Sequence, residues 1–156
     1  MAMQARLRRL NADYELVQRV FANHPYIRLV STEGVPPEKY TFALQVEGLT
    51  PTGEDAFIRC PLHQAEVFLP VDYPRRPPFC RMTTPVFHPN IDPQKICIGD
   101  HWSAGQSLAQ MIVHIAEMIC FQSYNLKSPL NAKAAAWAEQ NLASLPLQKI
   151  DLSAGL

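Results

Sequence analysis

Residues 88–102 read His88-Pro89-Asn90-Ile91-Asp92-Pro93-Gln94-Lys95-Ile96-Cys97-Ile98-Gly99-Asp100-His101-Trp102. Pro89 and Pro93 fix φ and remove two amide donors, and Gly99 interrupts the far end, so this backbone cannot be a regular helix or a central strand. Cys97 therefore falls on an irregular segment held against the core, a setting that leaves its sulfur partly accessible. A cysteine acts as a nucleophile only as the thiolate, and it needs nearby donors for the oxyanion formed when it attacks a carbonyl. Asn90 can supply such a donor. His88 reads as a structural histidine that holds the turn through backbone hydrogen bonds.

Working outward, the chain divides into elements by periodicity. Leu7, Leu10, Tyr14, Val17 and Phe21 recur at helical spacing, which predicts an amphipathic helix over 3–22 ending at Asn23-His24-Pro25. Residues 27–32, 40–46 and 65–69 are rich in β-branched and aromatic residues between Gly and Pro punctuation, and 80–83 supplies a fourth strand, together an antiparallel meander. Residues 49–61 mix turn residues with a short strand at 56–59. Ser107 and Gln110 form a capping box, followed by a run from Leu108 to Phe121 with almost no polar face, the signature of a buried helix. Asn131 caps an Ala-rich helix reaching about residue 143, anchored by Trp137. The order of elements is that of an α+β fold: N-terminal helix, four-stranded antiparallel meander, cysteine loop, buried central helix and C-terminal helix. Residues 1–156 are expected to form a single domain, with only the stretch from Pro146 loosely attached.

Fourteen Lys and Arg balance fourteen Asp and Glu, so the whole chain has neither a nucleic-acid nor an anionic-membrane footprint. The charge is uneven, however: residues 1–30 hold five Arg against two acids. Cys60, Cys80, Cys97 and Cys120 are widely separated with no Cys-x-x-Cys, which indicates neither a zinc cluster nor a redox motif. With no continuous apolar stretch for a signal peptide or a membrane span, a soluble cytoplasmic protein is expected. His101, four residues after Cys97, invites a Cys/His hydrolase or, with His88, a metal site. Neither is favoured, because a hydrolase usually draws its base from distant sequence and a metal needs further ligands.

Taken in order, Tyr73-Pro74-Arg75-Arg76-Pro77-Pro78, His88-Pro89-Asn90, Cys97, Trp102 and Ser128-Pro129-Leu130-Asn131 resemble the catalytic domain of ubiquitin-conjugating enzymes. The resemblance spans about residues 2–143 and is densest over 69–131. It implies that Cys97 accepts a ubiquitin-like protein as a thioester from an activating enzyme and passes it to a lysine amine or a ligase. It also implies that no cofactor or metal is needed. By the same resemblance Asn90 stabilises the oxyanion or orders the loop, and Ser128 stands at the gate of the site. His88, Pro89, Tyr73 and Trp102 are motif residues that hold the structure. Partner contacts fall to Arg6, Arg8 and Arg9 for the activating enzyme and to Leu69 and Ala104 for a ligase. Ser128 can hydrogen-bond but cannot serve as a carboxylate base at neutral pH, and Asp100 is the candidate substitute. Only four residues separate Cys97 from Trp102, and Trp102-Ser103-Ala104-Gly105 lacks the Pro usual in the family, which points to a divergent, bacterial-type member. Two rivals remain: a catalytically silent module of the same fold that binds a ubiquitin-like protein, and a cysteine hydrolase.

Overall fold

The structure is a computed structural model, described for residues 2–98 and 101–156. Helix α1 (Ala2–Phe21) leads into β1 (Ile27–Gly34) and β2 (Pro37–Leu44), followed by a hairpin of β3 (Gly48–Pro51) and β4 (Phe57–Cys60). Strands β5 (His63–Phe68) and β6 (Phe79–Met82) precede α2 (Leu108–Ile119) and α3 (Ala132–Gln140). The main sheet has the order β1-β2-β5-β6 with every pair antiparallel. The meander expected from the sequence is thus present, but β3 and β4 leave it between the second and third strands as a separate two-stranded sheet. Gly48 makes that departure sterically feasible: a Cβ there would lie 2.7 Å from both the His63 ring and the Ile119 side chain.

One core joins these elements. Tyr40, Phe42, Leu44 and Val67 from the sheet, Leu10, Val17 and Phe21 from α1, and most of α2 pack together in it. The capping box of α2 is formed: the Ser107 side chain accepts from the Gln110 N–H at 3.1 Å, and the Gln110 side chain accepts from the Ser107 N–H at 2.9 Å. Asn131 caps α3 by accepting from the Ala134 N–H at 3.0 Å. The helix stops at Gln140 rather than 143, and Leu142–Ser144 continue as a 3-10 turn. Trp137 is its anchor, with its ring edge-on to Phe57 at 4.7 Å and near Phe87 at 6.2 Å, so it wedges the β3–β4 hairpin against the approach to His88.

Two expectations fail. Leu7, placed on the packed face of the first helix, is exposed, and Asp13 and Val20 take up buried positions on that face instead. The stretch from Pro146 is well attached. Gln122 donates to the Gln148 and Ile150 carbonyls at 2.7 and 2.9 Å, the His24 ring bonds the Leu152 carbonyl at 2.9 Å, and Leu152 is buried in the core. The polar, Pro-punctuated sequence gave no hint of this, because its partners lie up to 128 residues away.

Candidate functional site

The segment from His88 to Ile98 is held by bonds that its own sequence provides. The Nδ1 of His88 accepts the Asn90 N–H at 3.0 Å, and its ring lies 4.7 Å from that of Phe121. Burial pushes the His88 imidazole down to about 3, so it is a neutral ring that accepts at Nδ1. Pro89, with no N–H, contributes a carbonyl that accepts from Leu130 at 2.8 Å and Asn131 at 3.1 Å. That pair of bonds ties the His-Pro-Asn turn to the Ser128–Asn131 run predicted to border the site. Asp92 then closes a turn by accepting the Gln94 and Lys95 N–H groups at 2.8 and 2.9 Å.

The orientation of Cys97 follows from this turn. Ile96 and Ile98 are both buried, and alternation along the extended backbone turns the intervening side chain outward. Cys97 is accordingly half-buried, whereas Cys80 and Cys120 are buried and burial pushes both of their thiols up. Cys60 is partly exposed but stands on β4, with its thiol directed to the Leu62 carbonyl at 3.3 Å. The Cys97 N–H is occupied, donating to the Asn90 carbonyl at 3.0 Å, so this amide is not free to donate into the groove.

Cys97 opens onto a groove of about 660 Å³ lined also by Asn90, His101, His114, Tyr124 and Ser128. The structure therefore brings all three predicted catalytic residues to one groove. Asn90 is buried there, with its side chain paired in both directions to one backbone unit: Nδ2 donates to the Asn125 carbonyl and Oδ1 accepts the Asn125 N–H, each at 2.8 Å. Of the two roles left open for Asn90, ordering the loop is the one already formed, and the second hydrogen on Nδ2 remains for an oxyanion. Ser128 is an exposed hydroxyl at the rim. Asp100, the candidate carboxylate, lies outside the described residues. The histidine pairing suggested by sequence is corrected: the ring beside His101 is His114, at 4.4 Å, while His88 is turned into the fold. His114 was missed because it reads as an incidental polar residue on an apolar helix.

A second polar cluster joins α1 to the Tyr73–Pro74 segment and the start of α2. Asp13 is buried, and its Oδ2 accepts from Arg9 Nε at 2.8 Å and the Tyr73 hydroxyl at 2.6 Å. Its Oδ1 accepts the Leu108 N–H at 3.0 Å, satisfying an otherwise unpaired donor at the start of α2. Burial, then the Asp13 carboxylate, holds Tyr73 protonated and hence a donor. Arg9 also donates to the Ala104 and Gln106 carbonyls and lies over the Tyr73 and Trp102 rings, 5.1 and 5.9 Å from their centroids. Trp102 completes the cluster by donating from Nε1 to the Pro74 carbonyl at 2.9 Å. Tyr73 and Trp102 are thus held inside this cluster, and Asp13 is the member that sequence reasoning missed.

The predicted partner residues separate. Arg9 is committed to this cluster, and Arg6 is paired with Glu38 at 3.2 Å and the Pro70 carbonyl at 3.0 Å, which leaves Arg8 as the exposed one of the three. Leu69 is fully buried and cannot be a contact; the exposed apolar side chains beside it are Phe68 and Val71. Ala104 is exposed, and its carbonyl is held by Arg9.

Residues 37–149 match the family model for ubiquitin-conjugating enzymes. The chain belongs to that family. Among curated relatives it is 27% identical over 123 residues to ubiquitin-conjugating enzyme E2 G2 of Homo sapiens, covering 66% of this chain and 74% of the human one. It is 35% identical over 74 residues to ubiquitin-conjugating enzyme E2 3 of Arabidopsis thaliana, covering 45% and 48% of the two chains. A Plasmodium yoelii protein, whose crystal structure is described as that of a ubiquitin conjugating enzyme, superposes with a TM-score of 0.60. The match covers 86% of each chain at 19% identity, which supports the fold.

Proposed function

We propose that this family member is a carrier enzyme in which Cys97 accepts a ubiquitin-like protein from an activating enzyme as a thioester and hands it to a lysine amine or a ligase. The observation that carries the reading is the exposure of the Cys97 thiol on a groove whose far wall is fixed by the Asn90–Asn125 clamp. In loading, the Cys97 thiolate attacks the incoming thioester carbonyl, a new C–S bond forms, and the activating enzyme's cysteine leaves as thiolate. Such exchange is nearly isoenergetic. In discharge, an amine attacks the same carbon and Cys97 leaves. The oxyanion formed on the way has the second Nδ2 hydrogen of Asn90 and the Ser128 hydroxyl on the walls of the groove to receive it. The working compartment consistent with four free thiols is a reducing one.

The test is a loading reaction with ubiquitin, a ubiquitin-activating enzyme and ATP, run on non-reducing and reducing gels. Wild-type protein should give an adduct that thiol reductant removes, and Cys97→Ser should replace it with a reductant-stable oxyester. A reducible adduct on Cys97→Ser would move the acceptor to another thiol. Loss of the adduct to water as fast as to lysine would instead favour the hydrolase reading.

A further inference from the structure

The groove contains two imidazoles for which neither the fold nor the loading step has a use. His101 is exposed at its mouth, with its backbone fixed by an N–H donated to the Ile98 carbonyl at 2.9 Å. His114 projects from the middle of α2, and the two ring centroids are 4.4 Å apart with planes inclined at 43°. Among the described residues His114 Nε2 is buried with no hydrogen-bond partner. A buried, unpaired ring nitrogen on a helix whose buried residues are Leu, Met, Ile, Val and Ala is a destabilising choice where an apolar residue would fill the space. The same groove lacks a basic group at Ser128, because a hydroxyl cannot take a proton from an amine at neutral pH.

From this juxtaposition we infer that His101 is the general base for amine attack on the Cys97 thioester, and that His114 is a positioning residue that holds the His101 ring by tilted ring-to-ring contact. The inference rests on the carrier reading above. As the lysine nitrogen bonds to the thioester carbonyl carbon it becomes acidic, and neutral His101 accepts the proton there. The C–S bond then breaks, the electron pair leaves with sulfur as the Cys97 thiolate, and His101 returns its proton to water. His114, pushed down to about 4 by burial and then by neighbouring His101, stays neutral and puts no second positive charge beside the amine. The other titratable or charged groups that line the grooves on either side of the pair are Cys97, Tyr124, Lys127 and Glu117. His101 and His114 line both of these grooves, so the pair is the wall between them.

The experiment loads Cys97 by exchange with a ubiquitin mercaptoethanesulfonate thioester, so that no matched activating enzyme is needed, and follows discharge to free lysine and to hydroxylamine across pH. Hydroxylamine is already unprotonated at neutral pH and makes little demand on a base. His101→Gln keeps a donor and loses basicity. It should lower lysine discharge by about 100-fold, the lower end of what a positioned base contributes, while changing loading and hydroxylamine discharge by less than about twofold. His114→Ala should lower lysine discharge by about tenfold and His114→Phe, which keeps a ring for His101 to rest against, should restore most of it. The inference is overturned if His101→Gln discharges to lysine at the wild-type rate, if all three reactions fall together, or if Asp100→Asn alone reproduces the loss. Failure of His114→Phe to exceed His114→Ala would end the positioning role. Failure of wild-type Cys97 to load at all would end the carrier reading first, a result visible before any discharge is measured.

Discussion

The cluster around Asp13 and the groove around Cys97 use similar side chains to opposite ends. In the first, Arg9, Asp13 and Tyr73 satisfy one another, Trp102 donates to the Pro74 carbonyl, and both carboxylate oxygens of Asp13 are taken. In the second, a thiol, two imidazoles and a hydroxyl line one groove, and the polar side chain bonded to the backbone there is Asn90, whose two bonds to Asn125 leave one Nδ2 hydrogen over. Saturated polar groups fix geometry, and open ones are available for chemistry. The cluster ties α1, the Tyr73–Pro74 segment and the start of α2 into one unit.

The largest effect is therefore expected where no chemistry occurs. Asp13→Ala removes the acceptor for three donors and leaves the Arg9 guanidinium without its counter-charge and the Tyr73 hydroxyl proton without an acceptor in a largely buried setting. Removing one partner from such a network costs about 3–5 kcal/mol, because the other charge stays behind uncompensated. Denaturant unfolding should show that loss as a lowered midpoint with an unchanged slope. A loss below about 1 kcal/mol, the scale of an exposed ion pair, would show that solvent reaches the cluster.

The next largest effect tests the boundary between the two regions. Asn90→Ala breaks both hydrogen bonds to Asn125, one neutral pair at about 1 kcal/mol each plus the cost of the orphaned backbone groups, so a loss of about 2–3 kcal/mol is expected. Because the clamp orders the wall facing Cys97, loading and lysine discharge should both fall. A protein that loads normally but discharges about 100-fold more slowly would instead make the free Nδ2 hydrogen, an oxyanion donor, the dominant contribution.

The same contrast decides what could be read from the sequence. Features set by neighbours within a few residues were legible: the Ser107–Gln110 box, the Asn131 cap, the four strands of the meander, and the His-Pro-Asn turn presenting Cys97. Features set by distant partners were not. Asp13 looks like one polar position on an amphipathic helix, and nothing local announces Tyr73 and Leu108, which lie 60 and 95 residues on. Leu69 sits in a Pro-flanked run that reads as a surface loop, yet its N–H donates to the Glu38 carbonyl and draws the side chain inward, leaving Val71 exposed in its place. His114 became visible only when the loop folded back to set His101 against it.

The smallest effect sharpens the comparison on a single helix. Arg8 and Arg9 are adjacent, equally charged and alike in sequence, but Arg8 is exposed and makes no hydrogen bond or ion pair among the described residues, whereas Arg9 belongs to the Asp13 cluster. Arg8→Glu should change stability by no more than about 0.5 kcal/mol, as surface substitutions usually do. Loading by a ubiquitin-activating enzyme should slow a few-fold at low salt and become less sensitive to ionic strength, since a rim charge acts mainly on the encounter rate. Arg9→Glu, measured beside it, should lose stability outright, because it places a second carboxylate against Asp13. If loading by folded Arg8→Glu protein matches wild type at every salt concentration, the basic face of α1 is a solvated surface and the activating enzyme docks elsewhere.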